Sequence, residues 1–374
     1  MPKKVIRKKV TKRKVAYKKR VVKKVRRVVR RKIITKRVTI AAPSLVVAAP
    51  PTPVFAPKPV PASSLYISPY TPVFEQGTYK FVNSDKTGRY EYDVSRHLLA
   101  YENTLTKRYL LPGTLPQNYQ SLIVLSKKSS IPIEVVNSNV SVEIASPANA
   151  EALFVIPSQF NGVEYPNPNT VIRQFQDYVN DPTGGPAAQL AIHPAVGQFL
   201  LDTAFQTNTL GALLRQLPKM RMINGYLKVP QGQVAAADVL SNLDKVGVLL
   251  MENALVKDGT HSVNMIYASG VPINAYTNLY SDDNLRLIAY YIMVAQYYAA
   301  LEISTHGRSR KVFLMLLGAG VFNNRVCEDT IAAIKTALYL FEQKYGTGMG
   351  IQVKILTYKG NPAEYQAVKE CLAK

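Results

Sequence analysis

KVFLMLLGAGVFNN, residues 311–324, is the stretch whose reading decides the fold. Residues 311–317 form a continuous apolar run of strand length, the pattern of a strand covered on both faces. Gly318, Ala319 and Gly320 begin a glycine-rich turn that runs to Asn324, and residues 328–345 carry the apolar spacing of a helix. Strand, glycine loop and helix in that order make a phosphate cradle: glycines let backbone N–H groups approach an oxyanion, and the helix N-terminus adds partial positive charge. One Gly-x-Gly serves a ligand-free strand–helix connection equally well. This one lacks both the GxGxxG ending and the Lys-Ser/Thr of a P-loop.

Working outward, residues 352–357 read as a last strand and 362–372 as a short last helix. Residues 285–303 read as a long apolar helix capped by Asp282 or Asp283, with Ala295, Ala299 and Ala300 permitting close packing. On such a helix Tyr290, Tyr291, Tyr297 and Tyr298 read as packing rather than as base-stacking platforms. Residues 262–268, 152–156 and 140–144 read as strands, 219–229 as β-rich around Gly225, and 238–256 as helix. The alternation is that of an α/β domain.

A second loop gives the first a partner. Strand 152–156 is followed by SQFNGVEYP (158–166) and then by NDPTGGPAAQLAIH (180–193), a loop opening a helix. Two glycine-bearing strand-to-helix loops in one sheet can clamp a diphosphate at the carboxyl ends of the strands.

Over residues 141–374 this order resembles a macro domain, the module that holds ADP-ribose or related nucleotides. The resemblance is carried by Asn161-Gly162 after a strand, by the glycine run and helix at 184–193, and by LLGAGVFNN at 316–324. The wording FNGVEYP with DPTGGPAAQLA is similar to a divergent macro-like branch found in large DNA viruses and some microbes. It implies a three-layer α/β/α fold around a mixed sheet. It also implies that Asn161 and Gly162 approach the distal ribose and that Gly184 and Gly185 give backbone donors to the phosphates. Gly318, Gly320, Val321, Phe322 and Asn323 would form the opposing wall, with Phe322 either stacking on a ribose or base or plugging the core. Two features depart from the family. There is no Gly-Asp-Ile segment to place an adenine-reading aspartate, and no Glu-Glu pair follows the glycine run, where Gln189 stands alone. The glycohydrolase acid is therefore missing, and the sequence nominates no catalytic residue and no cofactor. Glu164 and Asp181 are the carboxylates nearest the loops, and each has two readings. One is acid–base chemistry; the other is an ion pair for Glu164 and a turn for Asp181.

The other end of the chain has a different character. Residues 3–37 hold twenty basic side chains and no acid: Lys3, Lys4, Arg7, Lys8, Lys9, Lys12, Arg13, Lys14, Lys18, Lys19, Arg20, Lys23, Lys24, Arg26, Arg27, Arg30, Arg31, Lys32, Lys36 and Arg37. The formal charge of the whole chain is +23, so the remainder is nearly neutral. Self-repulsion predicts a disordered arm, and counterion release from closely spaced phosphates makes DNA or RNA its partner, bound without sequence preference. Val21, Val22, Val25, Val28 and Val29 mark one helical stripe that phosphates could induce. A nuclear localisation signal needs fewer charges, which ranks packaging or tethering above import alone. Residues 41–72 contain nine prolines and one charged residue, an extended spacer of polyproline character that cannot span a bilayer as a helix.

Cys327 and Cys371 suggest neither a metal site nor a disulfide framework, so a reducing setting and a buried thiol at Cys327 are expected. His97, His193, His261 and His306 lack zinc spacing. The expected organisation is a disordered nucleic-acid-binding arm (1–38), a proline-rich linker (39–72), an N-terminal elaboration of the globule (73–140) and a macro-like domain (141–374). Such a protein belongs in a virion or a nucleus, with no membrane partner and its oligomeric state open. The alternatives are an ADP-ribosyl-linkage hydrolase and a structural virion protein with a vestigial pocket. Truncation before Val38 should collapse nonspecific DNA affinity and flatten its salt dependence, as read by fluorescence anisotropy over a salt series. Equal binding by the truncated chain would exclude the arm.

Overall fold

The computed structural model describes the backbone of residues 78–81, 90–93 and 101–103, and more completely 106–125, 128–204, 207–347, 349–357 and 360–374. The basic arm with its valine stripe, the proline-rich linker and His97 lie outside the described residues, all of which fall in the unit Pro61–Lys374.

The strands in chain order are β1 (Thr78–Phe81), β2 (Tyr90–Asp93), β3 (Tyr101–Asn103), β4 (Thr106–Pro112), β5 (Ile133–Val136), β6 (Leu153–Pro157), β7 (Arg221–Ile223), β8 (Tyr226–Lys228), β9 (Gly247–Leu255), β10 (Ser262–Ala268), β11 (Lys311–Met315) and β12 (Gln352–Leu356). The helices are α1 (Tyr119–Leu125), α2 (Val140–Ala145), α3 (Gly184–Leu190), α4 (Pro194–Thr203), α5 (Gly211–Gln216), α6 (Ala236–Leu240), α7 (Asp283–Ser304), α8 (Ala332–Tyr345) and α9 (Pro362–Ala373).

Eight strands form the main sheet in the order β3-β4-β9-β10-β6-β11-β12-β5, and β1-β2-β7-β8 form a small antiparallel sheet. From β10 to β5 every neighbouring pair is parallel, whereas β3, β4 and β9 add an antiparallel margin. The sheet is therefore mixed, and residues 73–140 supply three of its strands.

Its strands are apolar on both faces. Leu153 and Val155 of β6, with Val312 and Leu314 of β11, pack into one cluster beneath α7 and α8. Phe154, Ile156, Phe313 and Met315 pack into the other, beneath α2, α3 and α4. Phe154 and Phe313 are register partners and stack with centroids 4.5 Å apart. Helices on both sides of a sheet buried on both faces give a three-layer α/β/α architecture: the alternation predicted the α/β class, and the resemblance implied the three layers and the mixed sheet.

Helix α7 is the central packing helix. Asp282 caps it, its Oδ1 accepting from Leu285 N at 2.7 Å, and residues 292–304 are buried around the whole circumference. Tyr297 and Tyr298 are buried within it, so their packing role is the one observed. Among the described residues, no helix is long and apolar enough to cross a membrane, and no group of three or more His, Cys, Asp or Glu could hold a metal ion.

Three expectations are corrected. Residues 140–144 are helical, not a strand: Asn139 Oδ1 accepts from Ser141 N at 3.1 Å, and this cap sets a spacing that buries Val140 and Ile144 and exposes Val142. In residues 238–256 only the start is helical. The remainder is chiefly β9, the nine-residue strand between β4 and β10, whose burial on both faces erases the alternation that would have marked it.

The third correction concerns the cysteines. Cys327 and Cys371 form a disulfide, with Cα atoms 5.3 Å apart, that ties the turn before α8 to α9. Their separation of 44 residues hides in sequence what packing makes adjacent. Loop-closure entropy for that separation is worth about 4 kcal/mol at most, so Cys371→Ser should lower unfolding stability by about 2–4 kcal/mol. Urea unfolding with and without reductant would show this, and an insensitive wild-type midpoint would contradict it.

Candidate functional site

Because both faces of the sheet must be covered, the chain leaves neighbouring strands β6 and β11 in opposite directions. After β6 it reaches α3 on one face, and after β11 it reaches α8 on the other. Diverging exits at the carboxyl ends of parallel strands open a crevice. Here it is a cleft of about 360 Å³, floored by Pro157 and Ser158 at the end of β6, Met315 and Leu316 at the end of β11, and Leu356 at the end of β12. Glu164, Thr183 and Gly184 form one wall, Gly318 to Phe322 the other, and Asn361 and Glu364 at the start of α9 complete the rim. A larger hollow of about 790 Å³ lies between α2 and α3, lined mainly by apolar groups such as Ala145, Leu190 and Val256 and lacking a glycine loop.

The loop after β11 is held at its ends and open in its middle. Tyr297 Oη donates to Met315 O (2.8 Å) and accepts from Leu317 N (3.0 Å), so one hydroxyl replaces a strand neighbour where β11 leaves the sheet. The preceding residue does the same for β10: Gln296 Oε1 accepts from Ser269 N (2.9 Å) and its Nε2 donates to Ser269 O (2.8 Å). At the far end Asn324 N donates to Gly318 O, and its Nδ2 donates to Val271 O. Gly318 has φ +67°, and a Cβ there would collide with the Asn324 side chain, so only glycine fits. Between these anchors, the N–H groups of Gly318, Ala319, Gly320, Val321 and Phe322 donate no hydrogen bond among the described residues. Successive free N–H groups on a loop are an anion-binding feature. Val321 is 55 % exposed at the mouth, and Phe322 is buried against Tyr226 and Tyr276, with ring centroids 5.7 and 5.5 Å away.

Glu164 sits in the opposite wall with its Oε2 sealed from solvent and without a hydrogen-bond partner among the described residues. Its backbone N–H donates to Tyr178 Oη at 3.0 Å, which fixes the main chain. Burial, reinforced by the negative charge of nearby Asp181, raises its carboxyl to about 8. The same two carboxylates lie close enough to raise the Tyr276 hydroxyl, after burial itself. Asp181 forms the expected turn, its Oδ1 accepting from Thr183 N (2.9 Å) and Thr183 Oγ1 (2.6 Å). The other simple reading is not met: Glu164 pairs with no Lys or Arg among the described residues.

Of the residues singled out in sequence, Gly184, Gly318, Gly320, Val321 and Phe322 come together in the cleft. Gly185 lies behind its wall, where a Cβ would collide with Glu164 Oε2 and Pro157 O. Asn161 and Gly162 are interior. Asn161 packs against Gly225 in the β7–β8 turn and accepts from Val163 N, while Gly162, at φ +85°, packs against Leu249 and Leu200. Asn323 turns the loop at φ +57° and donates to Ile273 O at 3.0 Å. His193 caps α4, its Nδ1 accepting from Ala195 N. Sequence reasoning missed Asn361 and Glu364. The signal was present in Asn361-Pro362 after strand 352–357, a third strand-to-helix exit at the same end of the sheet.

No protein family and no curated protein matches this sequence. Among solved structures the chain is similar to a Trypanosoma brucei macrodomain, at 8 % identity and TM-score 0.36, covering 70 % of this chain and 72 % of that one. It is similar to the Oceanobacillus iheyensis macrodomain with MES bound, at 14 % identity and TM-score 0.35, covering 71 % and 96 %. It is also similar to poly(ADP-ribose) glycohydrolase from Deinococcus radiodurans in complex with ADP-ribose, at 12 % identity and TM-score 0.36, covering 71 % and 94 %. Likeness at this level transfers no residue, and the cleft rests on its own geometry.

The Glu164 carboxyl has a consequence for stability. Between the ordinary carboxylate range and about 8, the folded chain keeps a proton that the unfolded chain has released. Stability from this group is therefore full at low pH, falls by about 1.4 kcal/mol per pH unit across that window, and levels off above it. Glu164→Gln should remove this slope, so the variant should become the more stable protein as pH approaches 8. Urea midpoints over a pH series test this, and parallel curves would contradict it.

Proposed function

We propose that this chain is a nucleic-acid-associated protein whose basic arm binds DNA or RNA without sequence preference and whose macro-like body binds ADP-ribose or a related nucleotide in the cleft. One observation carries the second half: the N–H groups from Gly318 to Phe322 donate no hydrogen bond among the described residues, and their loop borders a crevice at the carboxyl ends of β6, β11 and β12. A cleft of about 360 Å³ falls within the range of small-ligand sites, and its apolar floor beside a polar wall suits a sugar next to a phosphate. Gly184 at the start of α3 lies on the opposite wall, which gives two phosphates two walls to meet. Phe322 borders the cleft with its ring packed against Tyr226 and Tyr276, which makes that wall apolar and fixed in place.

The arm supports the first half by composition alone. Twenty basic residues without an acid match a phosphate backbone and would hold the body against a genome, in a virion or a nucleus.

Titration of the full chain with ADP-ribose by calorimetry, at salt high enough to screen the arm, tests the cleft. Gly320→Glu is the control, because a Cβ at Gly320 meets nothing within 4 Å and the substitution adds a negative charge without disturbing packing. Saturable binding should appear in the wild type and fall by at least about tenfold in the variant. Absence of heat at millimolar ligand would leave the body a scaffold and the arm the functional part.

A further inference from the structure

We propose that the Cys327–Cys371 disulfide is a site of thiol exchange that latches the rim of the cleft, so that its reduction releases α9 and opens the cleft. This concerns the rim whatever the cleft binds, and it stands or falls apart from the nucleotide reading.

The latch joins two parts of the cleft wall. The loop that supplies Gly318 to Phe322 ends at Asn324, and Cys327 follows three residues later in the turn before α8. Helix α9 has Asn361 as its N-cap and Glu364 in its first turn, and both line the rim. Glu364, Val368 and Cys371 follow one another at spacings of four and three residues, so they share one face of α9. The face that meets the cleft at one end is bonded to the body at the other.

The rest of the attachment is slight. Of the twelve residues of α9, Val368 and Cys371 alone are buried, and Leu372 packs partly against the same core cluster. Cys371 O also accepts from Lys335 Nζ of α8 at 2.9 Å. A helix of this length is marginal in water without docking. With so few apolar side chains seated, α9 belongs to the parts of a fold that open locally, and the covalent tie is what closes it.

Access gives the exchange a direction. Cys371 is 4 % exposed, whereas Cys327 is only partly buried, so an incoming thiolate reaches Cys327 Sγ first. A bond forms between the thiolate and Cys327 Sγ, the bond to Cys371 breaks, and its electron pair leaves on Cys371 Sγ, which takes up a proton. The Lys335 ammonium held at Cys371 favours the departing anion. A second thiol attacks the mixed disulfide and frees Cys327. In all, two thiols are oxidised to one disulfide while the protein disulfide is reduced to two thiols.

The test is amide hydrogen exchange of the full chain, read by mass spectrometry at exchange times short enough that α7 stays protected in the oxidised protein. Wild type is compared before and after dithiothreitol, and Cys327→Ser without it. Amides of α9 should exchange at least about tenfold faster once the tie is cut by either route, while those of 292–304 in α7 stay protected. Brief treatment with glutathione and an acid quench should place the mixed disulfide on Cys327. If Cys327→Ser does not fold, reduction of the folded wild type decides alone. Unchanged α9 exchange after reduction overturns the inference. So does loss of protection in α7 together with α9, which would make the disulfide a brace of the whole body. A disulfide that resists dithiothreitol in the native protein, or a mixed disulfide on Cys371, overturns the exchange step.

Discussion

The structure depends on one constraint: the parallel half of the main sheet is apolar on both faces, so neither can be left to water. Phe154 and Phe313 stack on one face while Leu153, Val155, Val312 and Leu314 fill the other. Covering both sides with helices forces successive connections to opposite faces, and the crevice between β6 and β11 follows from that divergence. The cleft is thus a product of how the core is buried, and its lining residues are those left where the two exits part.

Much of this architecture is legible in the sequence, because elements buried on one regular period announce themselves. The helix of α7 is read from Asp282 and a long, largely apolar run, and β6, β10, β11 and β12 from short apolar-rich runs bounded by Pro, Ser or Gly. Legibility fails where two periods fit the same letters. Val140, Val142 and Ile144 satisfy strand alternation as well as a helix turn, and only the Asn139 cap decides between them. It fails again in β9, where GVLLMENAL is buried on both sides and carries no alternation. The disulfide is a fact of tertiary packing, with nothing local to mark it.

The site is legible to a different degree. Glycines of the two loops are visible as letters, but a glycine can serve a ligand, a turn or a tight contact, and the letter does not say which. Gly320 faces open space, Gly318 escapes a collision with Asn324, and Gly185 makes room for Glu164. Asn161 reads as a ligand group by position after a strand, yet the β7–β8 hairpin lies on it, and that hairpin is remote in sequence. Glu164 was visible beside the loop, while its environment was not: the burial that gives it an unusual proton affinity is assembled from residues 157–185 and from the aromatic group around Tyr276. Chemical character of this kind comes from neighbours that only folding brings together.

The grip of α7 on the strand exits has a further meaning for how this protein can change. Gln296 and Tyr297, consecutive on one helix turn, fix where β10 and β11 end, and Asn324 fixes where the second loop rejoins the body. Everything these side chains hold lies at the borders of the loop. The segment from Ala319 to Val321 is therefore an interchangeable cassette: its length and chemistry can drift, or be redesigned, while the frame that presents it stays the same. A lineage built on this frame could change what the loop presents to the cleft by rewriting three residues, with the core never consulted.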